Sequence, residues 1–250
     1  MNKISLAGPV WLASDVHLGQ HTEGTSEAFR DFLKLAASEA QALLLPGDIF
    51  DAWIGDDVAV VAPPWLAQDL MAIKACAAKI PVWLGRGNRD FLMGEALAAG
   101  LGARLLPEEV LVTVGARTFL LSHGDEYCTD DVAYQQFRAM VRNPAWQSGF
   151  LSRSIPERLT LAAQARGESM AANQTKTSEI MDVNADAVAQ AIRTAGVSLV
   201  IHGHTHRPGV VTGDDYNWHG LQSLNYRWTI DDRKTIINVG SVGQPRDSDP

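Results

Sequence analysis

The chain has 250 residues, 46% of them hydrophobic and 20% charged, with a formal net charge of −8. That balance excludes disordered, collagen-like and disulfide-scaffold classes, and the length suits one large α/β domain or two small ones. An acidic total argues against a protein held to nucleic acid by phosphate contacts, so no nucleic-acid partner is expected.

Two cysteines, Cys76 and Cys128, make no framework and no thiolate metal spacing, which fits a reducing compartment. Residues 1–10 hold one lysine and no long apolar core, so no secretory signal is expected, and the apolar stretch 58–65 is cut by Pro63 and Pro64. A cytoplasmic protein that does not cross a membrane is the expectation.

In chain order, residues 10–13 read as a buried strand, followed by a helix over 26–40 with Ser26 as its N-cap. A strand over 43–45 precedes a helix over 65–78, and a strand over 81–84 precedes a helix over 90–99 with Asp90 as N-cap. Residues 110–114 and 117–121 flank Gly115-Ala116 as a hairpin, and 226–230 with 235–239 repeat that pattern, so a mixed sheet or two packed sheets is expected. Between the two hairpins, residues 199–201 read as another buried strand.

From 127 to 180 the strand signals vanish and helical patterns replace them. This reads as a helical insertion within a single domain spanning 1–250. Its residues 137–176 carry six basic side chains (Arg138, Arg142, Arg153, Arg158, Arg166, Lys176) against Glu157 and Glu168. Charge alone reads there as a solvated helix surface.

Five polar clusters stand at strand ends: Asp15-Val16-His17, Gly47-Asp48 with Asp51, Gly87-Asn88-Arg89-Asp90, His123-Gly124-Asp125 and Gly203-His204-Thr205-His206. Taken singly, most are turns. Together, each after an apolar run, they form a set of oxygen and nitrogen ligands without cysteine, suited to Mn²⁺, Fe²⁺ or Zn²⁺. Strand pleat puts residues i and i+2 on one face, so Asp15 with His17, and His204 with His206, are each expected to converge on a common centre.

This ordered set resembles the calcineurin-like metallophosphoesterases, over residues 15–206. The resemblance implies an α/β fold with a β-sandwich core flanked by helices, the 127–180 insertion acting as a helical cap, and two Mn²⁺ per chain. It implies that Asp15, His17 and His206 hold one metal, that Asn88, His123 and His204 hold the other, and that Asp48 bridges them. Asp51 and Asp90 would orient neighbouring ligands. Arg89 stands where many relatives have histidine, and a guanidinium clamps phosphate charge without serving as a general acid. His21 and His219 are read as surface histidines.

The stretches 51–57, 87–92, 123–131, 180–184 and 201–208 are similar to the branch that hydrolyses UDP-2,3-diacylglucosamine to UMP and 2,3-diacylglucosamine 1-phosphate in lipid A biosynthesis. That likeness implies a metal-activated hydroxide attacking the α-phosphorus, with Arg89, Asn88 and His204 stabilising the transition state. It also implies substrate contacts at Asn88, Arg89, Asp131, Ser169, Asn173, Lys176 and His204, with basic side chains near 169–176 meeting the diphosphate. Phe137, Trp146, Phe150 and Leu151 would line an acyl groove or pack the cap. The same likeness implies UDP-2,3-diacylglucosamine as the substrate and peripheral contact with the inner membrane, and a monomer is expected. After about Val211 the pattern changes: Asn238 to Asp247 resembles another branch that acts on nucleotides or phosphodiesters, such as dinucleoside polyphosphate hydrolases. All seven ligand positions are filled, which speaks against a metal-free scaffold.

Overall fold

The computed structural model describes residues 1–173, 180, 182–212, 217–220, 235–239 and 241. Two sheets carry the fold. Strands β1 (Asn2–Leu6), β6 (Glu109–Val114), β7 (Arg117–Ser122), β8 (Leu199–His202), β9 (Gly209–Thr212), β10 (Asn217–Gly220) and β11 (Thr235–Asn238) form a mixed sheet in the order β1-β6-β7-β8-β11-β9-β10. Strands β2 (Val10–Leu12), β3 (Ala42–Leu45), β4 (Val82–Leu84) and β5 (Arg104–Leu105) form a parallel sheet in that order.

Strand alternation builds the layers. Leu44 of β3 faces the large sheet, packing with Val110, Val112, Phe119, Leu121, Leu199 and Ile201. Its neighbours Leu43 and Leu45 face the other way, toward helices α1 (Glu23–Glu39), α2 (Pro64–Ala77) and α3 (Glu95–Leu101). On the far side of the large sheet, Leu111, Leu120, Val200 and Ile236 pack on Val188 and Ile192 of α7 (Ala185–Ala195). The expected α/β fold, with sheets flanked by helices, is what the chain adopts. The 110–121 hairpin is β6 and β7. The expected partner of β11 at 226–230 lies outside the described residues, and β11 pairs with β8 in parallel and with β9 antiparallel.

Both expected N-caps are corrected. Helix α1 starts at Glu23, and Ser26 donates from its hydroxyl to the buried Asp69 carboxylate at 3.0 Å. Helix α3 starts at Glu95, five residues past Asp90, which is fully buried and turned toward the loop after β3. Gly94 takes the N-cap position of α3, and the Asp56 carboxylate accepts from the N–H groups of Gly94 and Leu97.

The 127–180 region folds into α4 (Val132–Val141), α5 (Pro144–Leu151) and α6 (Ile155–Asn173), each of the first two begun by a side-chain cap, Asp131 and Asn143. Four of its six basic residues are turned to the core, while Arg153 is exposed and Lys176 lies outside the described residues. Arg138 and Arg142 donate to Asp125 and Glu108, Arg166 to Asp51, and Arg158 to Asp57 and to the carbonyl of Ile54. These arginines fasten the helices to carboxylates of the core. Arg158 is almost wholly buried, so Arg158→Ala would leave the Ile54 carbonyl unsatisfied and open a cavity, a loss of about 2 to 3 kcal/mol. In thermal unfolding the expected fall in Tm is roughly 5 to 10 °C; an unchanged Tm would show that Arg158 does not hold α6.

Candidate metal centre

Every expected ligand lies just beyond a strand's carboxyl end: Asp15 and His17 after β2, Asp48 after β3, Asn88 after β4, His123 after β7, and His204 and His206 after β8. Three of these loops come from the small sheet and two from the large one, so the centre sits where the two sheets meet. The backbones lock together there: Asp15 N–H donates to the Gly47 carbonyl, His17 N–H to that of Asp48, and Gly203 N–H to that of His123.

The pairing of Asp15 with His17, and of His204 with His206, does not come from strand pleat. β2 ends at Leu12 and β8 at His202. Among the described residues, the non-glycine positions with left-handed backbone are Asp15, His17, Asp48, His204 and His206, at φ between 52° and 68°. Asp and His tolerate this region better than most side chains, yet each such residue costs about 1 to 2 kcal/mol. The tight left-handed turns aim alternate side chains at one point. Gly87 and Gly203 make room for them: a Cβ at Gly87 would lie 2.1 Å from Asp48 Oδ1, and one at Gly203 2.2 Å from Asp15 Oδ2.

The seven side chains converge. Nε2 of His206 lies 3.2 Å from Asp15 Oδ1 and 3.1 Å from Nε2 of His17. Asn88 Oδ1 lies 3.3 Å from Nε2 of His123 and 3.0 Å from Nδ1 of His204. Asp48 Oδ2 stands between the groups, 3.9 Å from His17 Nε2 and 3.7 Å from His123 Nε2. Ligand atoms of Asp15, His17 and His206, and of Asp15, Asp48 and His123, lie within 4.8 Å of one another. His202 stays out of the cluster, its Nδ1 donating to the Gly203 carbonyl.

The electrostatics fit a cationic occupant. Burial, with the charges of Asp90 and Asp15 beside it, pushes the Asp48 carboxyl well above the usual range. Burial pulls His17 down to about 3, assisted by His206, and pulls His204 down to about 3, assisted by His123, so both rings are neutral lone-pair donors near pH 7. The carboxylates of Asp15 and Asp48, the Asn88 oxygen and the neutral rings of His17 and His204 turn lone pairs toward one place, where divalent cations would satisfy them. The donor set fits such ions.

Asp90 supports this centre from below. Its two carboxylate oxygens accept from the backbone N–H groups of Asp48, Ile49, Phe50 and Gly87. Arg89 N–H donates to Asp48 Oδ1 at 2.8 Å, so the Gly-Asp and Gly-Asn loops are tied directly.

Other expected site residues are distributed more widely. Asp131 is buried and accepts from Tyr134 N–H as the cap of α4, and Ser169 is exposed on α6. The side chain of Asn173 and all of Lys176 lie outside the described residues. Trp146 stacks on Phe150, which packs on the core, whereas Phe137 and Leu151 are exposed. His21 is exposed, and the side chain of His219 is outside the described set. From the tail, Asn238 donates to Thr205 Oγ1, and Ser241 Oγ donates to the carbonyl of Asp15 at 2.7 Å, so the departing segment does reach the ligand loops.

Sequence reading missed Tyr134, whose ring stacks on His204 at 5.9 Å while its hydroxyl donates to Asp125. It also missed Arg142, which donates to Asp125 and to the carbonyl of Gly87 beside Asn88. The i, i+4 spacing of Arg138 and Arg142 was a usable signal, since both then point at one acidic neighbour.

A family profile described as "Calcineurin-like phosphoesterase" matches residues 8–208. The chain belongs to this family. Among similar curated proteins, a "UDP-2,3-diacylglucosamine hydrolase" of Bordetella pertussis is 67% identical over 208 residues, covering 83% of this chain and 81% of that protein. One of the same name from Chromobacterium violaceum is 42% identical over 220 residues, covering 88% of each. Membership makes the chain a metal-dependent phosphoester hydrolase. Two substitutions test the centre. Asp48→Ala should abolish metal retention and turnover together, by metal analysis and assay; retention of both would overturn the expected bridging role of Asp48. Asp90→Asn puts an amide donor against backbone donors and should cost about 2 to 4 kcal/mol with weakened metal binding; wild-type stability would contradict its anchoring role.

Proposed function

We propose that this protein hydrolyses the pyrophosphate bond of UDP-2,3-diacylglucosamine, releasing UMP and 2,3-diacylglucosamine 1-phosphate in lipid A biosynthesis, with two Mn²⁺ per chain. The observation that carries the substrate is the 67% identity to a hydrolase of that name over more than four-fifths of both chains. The convergence of seven side chains on one buried point supports the reaction type.

Asp15, His17 and His206 would hold one ion and Asn88, His123 and His204 the other, with Asp48 between them. When bound, such a pair supplies Lewis acidity to phosphoryl oxygens and lowers the pKa of water. The chain's own residues do the rest. Arg89, held at the centre by its backbone bond to Asp48, offers a forked guanidinium to charge developing on the phosphorus oxygens. It stays charged, so it gives no proton to a leaving group. A sugar 1-phosphate leaves without that help, which suits a pyrophosphate better than an alkyl ester. His204, neutral and stacked on Tyr134, acts as a fixed donor of lone pairs rather than as a positive charge.

Asn88, Arg89, Asp131, Ser169, Asn173, Lys176 and His204 are assigned to the substrate, and helices α4 to α6 to a cap over the centre. Exposed apolar side chains on that cap, among them Val132, Phe137, Met140, Leu151 and Leu159, support a place for acyl chains and a peripheral contact with the inner membrane. Among the described residues no helix is long and apolar enough to cross a membrane.

Incubation with UDP-2,3-diacylglucosamine and Mn²⁺ in ¹⁸O-water, read by mass spectrometry beside diadenosine polyphosphate, tests the proposal. Labelled UMP with an inert control is expected. Cleavage of the dinucleotide alone would move the protein to the branch its tail resembles.

A further inference from the structure

The loop that presents Asp48 runs on to Asp51, whose carboxylate lies between a ligand histidine and helix α6. Its Oδ1 faces Nδ1 of His17 at 4.0 Å, and both atoms are buried with no hydrogen-bond partner. Its Oδ2 receives the Arg166 guanidinium from α6. The other ring nitrogen of His17 points into the centre, 3.1 Å from His206 Nε2 and 3.9 Å from Asp48 Oδ2. An imidazole that offers a lone pair at Nε2 carries its proton on Nδ1, and that proton needs an acceptor. Asp51 Oδ1 is the oxygen that faces it.

The backbone keeps the two residues close. His17 N–H donates to the Asp48 carbonyl, and Asp51 N–H to that of Leu18. Asp51 also packs on Gly19, where an added Cβ would come within 3.4 Å of its own Cβ. Its carboxylate is nonetheless 25% exposed, so without the guanidinium it has water to turn toward. Arg158, the other clamp of α6, holds Asp57 and the Ile54 carbonyl instead, and neither is a metal-site group.

We infer that Arg166 is a positioning residue for the metal centre: by holding Asp51 against Nδ1 of His17 it fixes that ligand's tautomer and couples the seating of α6 to metal loading in the Asp15–His17–His206 half. The inference rests on the two-metal reading of the centre. Coupling of this kind is reciprocal, so metal in that half also favours the seated helix.

The test is Mn²⁺ titration by calorimetry, with electron paramagnetic resonance at limiting Mn²⁺, on the full chain and on Arg166→Gln, Arg166→Lys and Asp57→Asn. Wild type should bind two ions and show a spin-coupled pair. Arg166→Gln should weaken one ion by about tenfold, in the range measured for lost outer partners of metal-bound histidines, leave the other within about twofold, and show the six-line spectrum of isolated Mn²⁺. Arg166→Lys should restore part of the affinity. Asp57→Asn should lower Tm without changing Mn²⁺ affinity. Wild-type binding of both ions by Arg166→Gln, or equal weakening by Asp57→Asn, would overturn the coupling. A wild-type protein that binds fewer than two ions would instead overturn the two-metal reading beneath it.

Discussion

The structure depends on one electrostatic constraint: two carboxylates, an amide oxygen and four imidazoles are forced together at one largely buried point, where cations would satisfy their lone pairs. The rest of the fold supplies that force. Two sheets end their parallel strands at the same place, and glycines at 87 and 203 leave room for neighbouring carboxylates. Asp90 ties the Gly-Asp and Gly-Asn loops by accepting four backbone N–H groups. The left-handed backbone at five ligands is a local cost that the packing around them sustains.

Charge is used twice in this chain. The core is rich in carboxylates, some of which form the centre while others ring it at Asp51, Asp57, Glu108 and Asp125. Helices α4 and α6 answer the ring with arginines, so their positive surplus serves first to seat them over the core. Two of these contacts end beside the converging side chains: Arg142 touches the carbonyl of Gly87, next to Asn88, and Arg166 touches the carboxylate that faces His17. An element whose anchors end on ligand loops is placed to sense what those loops hold.

Much of this was legible in the sequence. The seven converging side chains were readable because each follows a short apolar run and is a strong donor type, and Leu43 to Leu45 announced a strand buried on both faces. How the ligands converge was not readable, since a period of two suggested pleat where left-handed turns do the aiming. Asp90 looked like a helix cap because side-chain caps and buried anchors use the same residue type; only tertiary contact separates them. Strand β1 was missed because Asn2–Leu6 lies mostly exposed at the sheet edge and carries little apolar signal. Arginine partners distant in sequence, such as Arg158 with Asp57, left no local mark at all.

The central claim is that seven side chains hold two ions with Asp48 between them, and anomalous diffraction at the manganese edge from Mn²⁺-loaded crystals tests it most directly. The account predicts two peaks about 3.5 to 4 Å apart, with one oxygen ligand shared through Asp48. A single peak, or a pair that Asp48 does not touch, would contradict it.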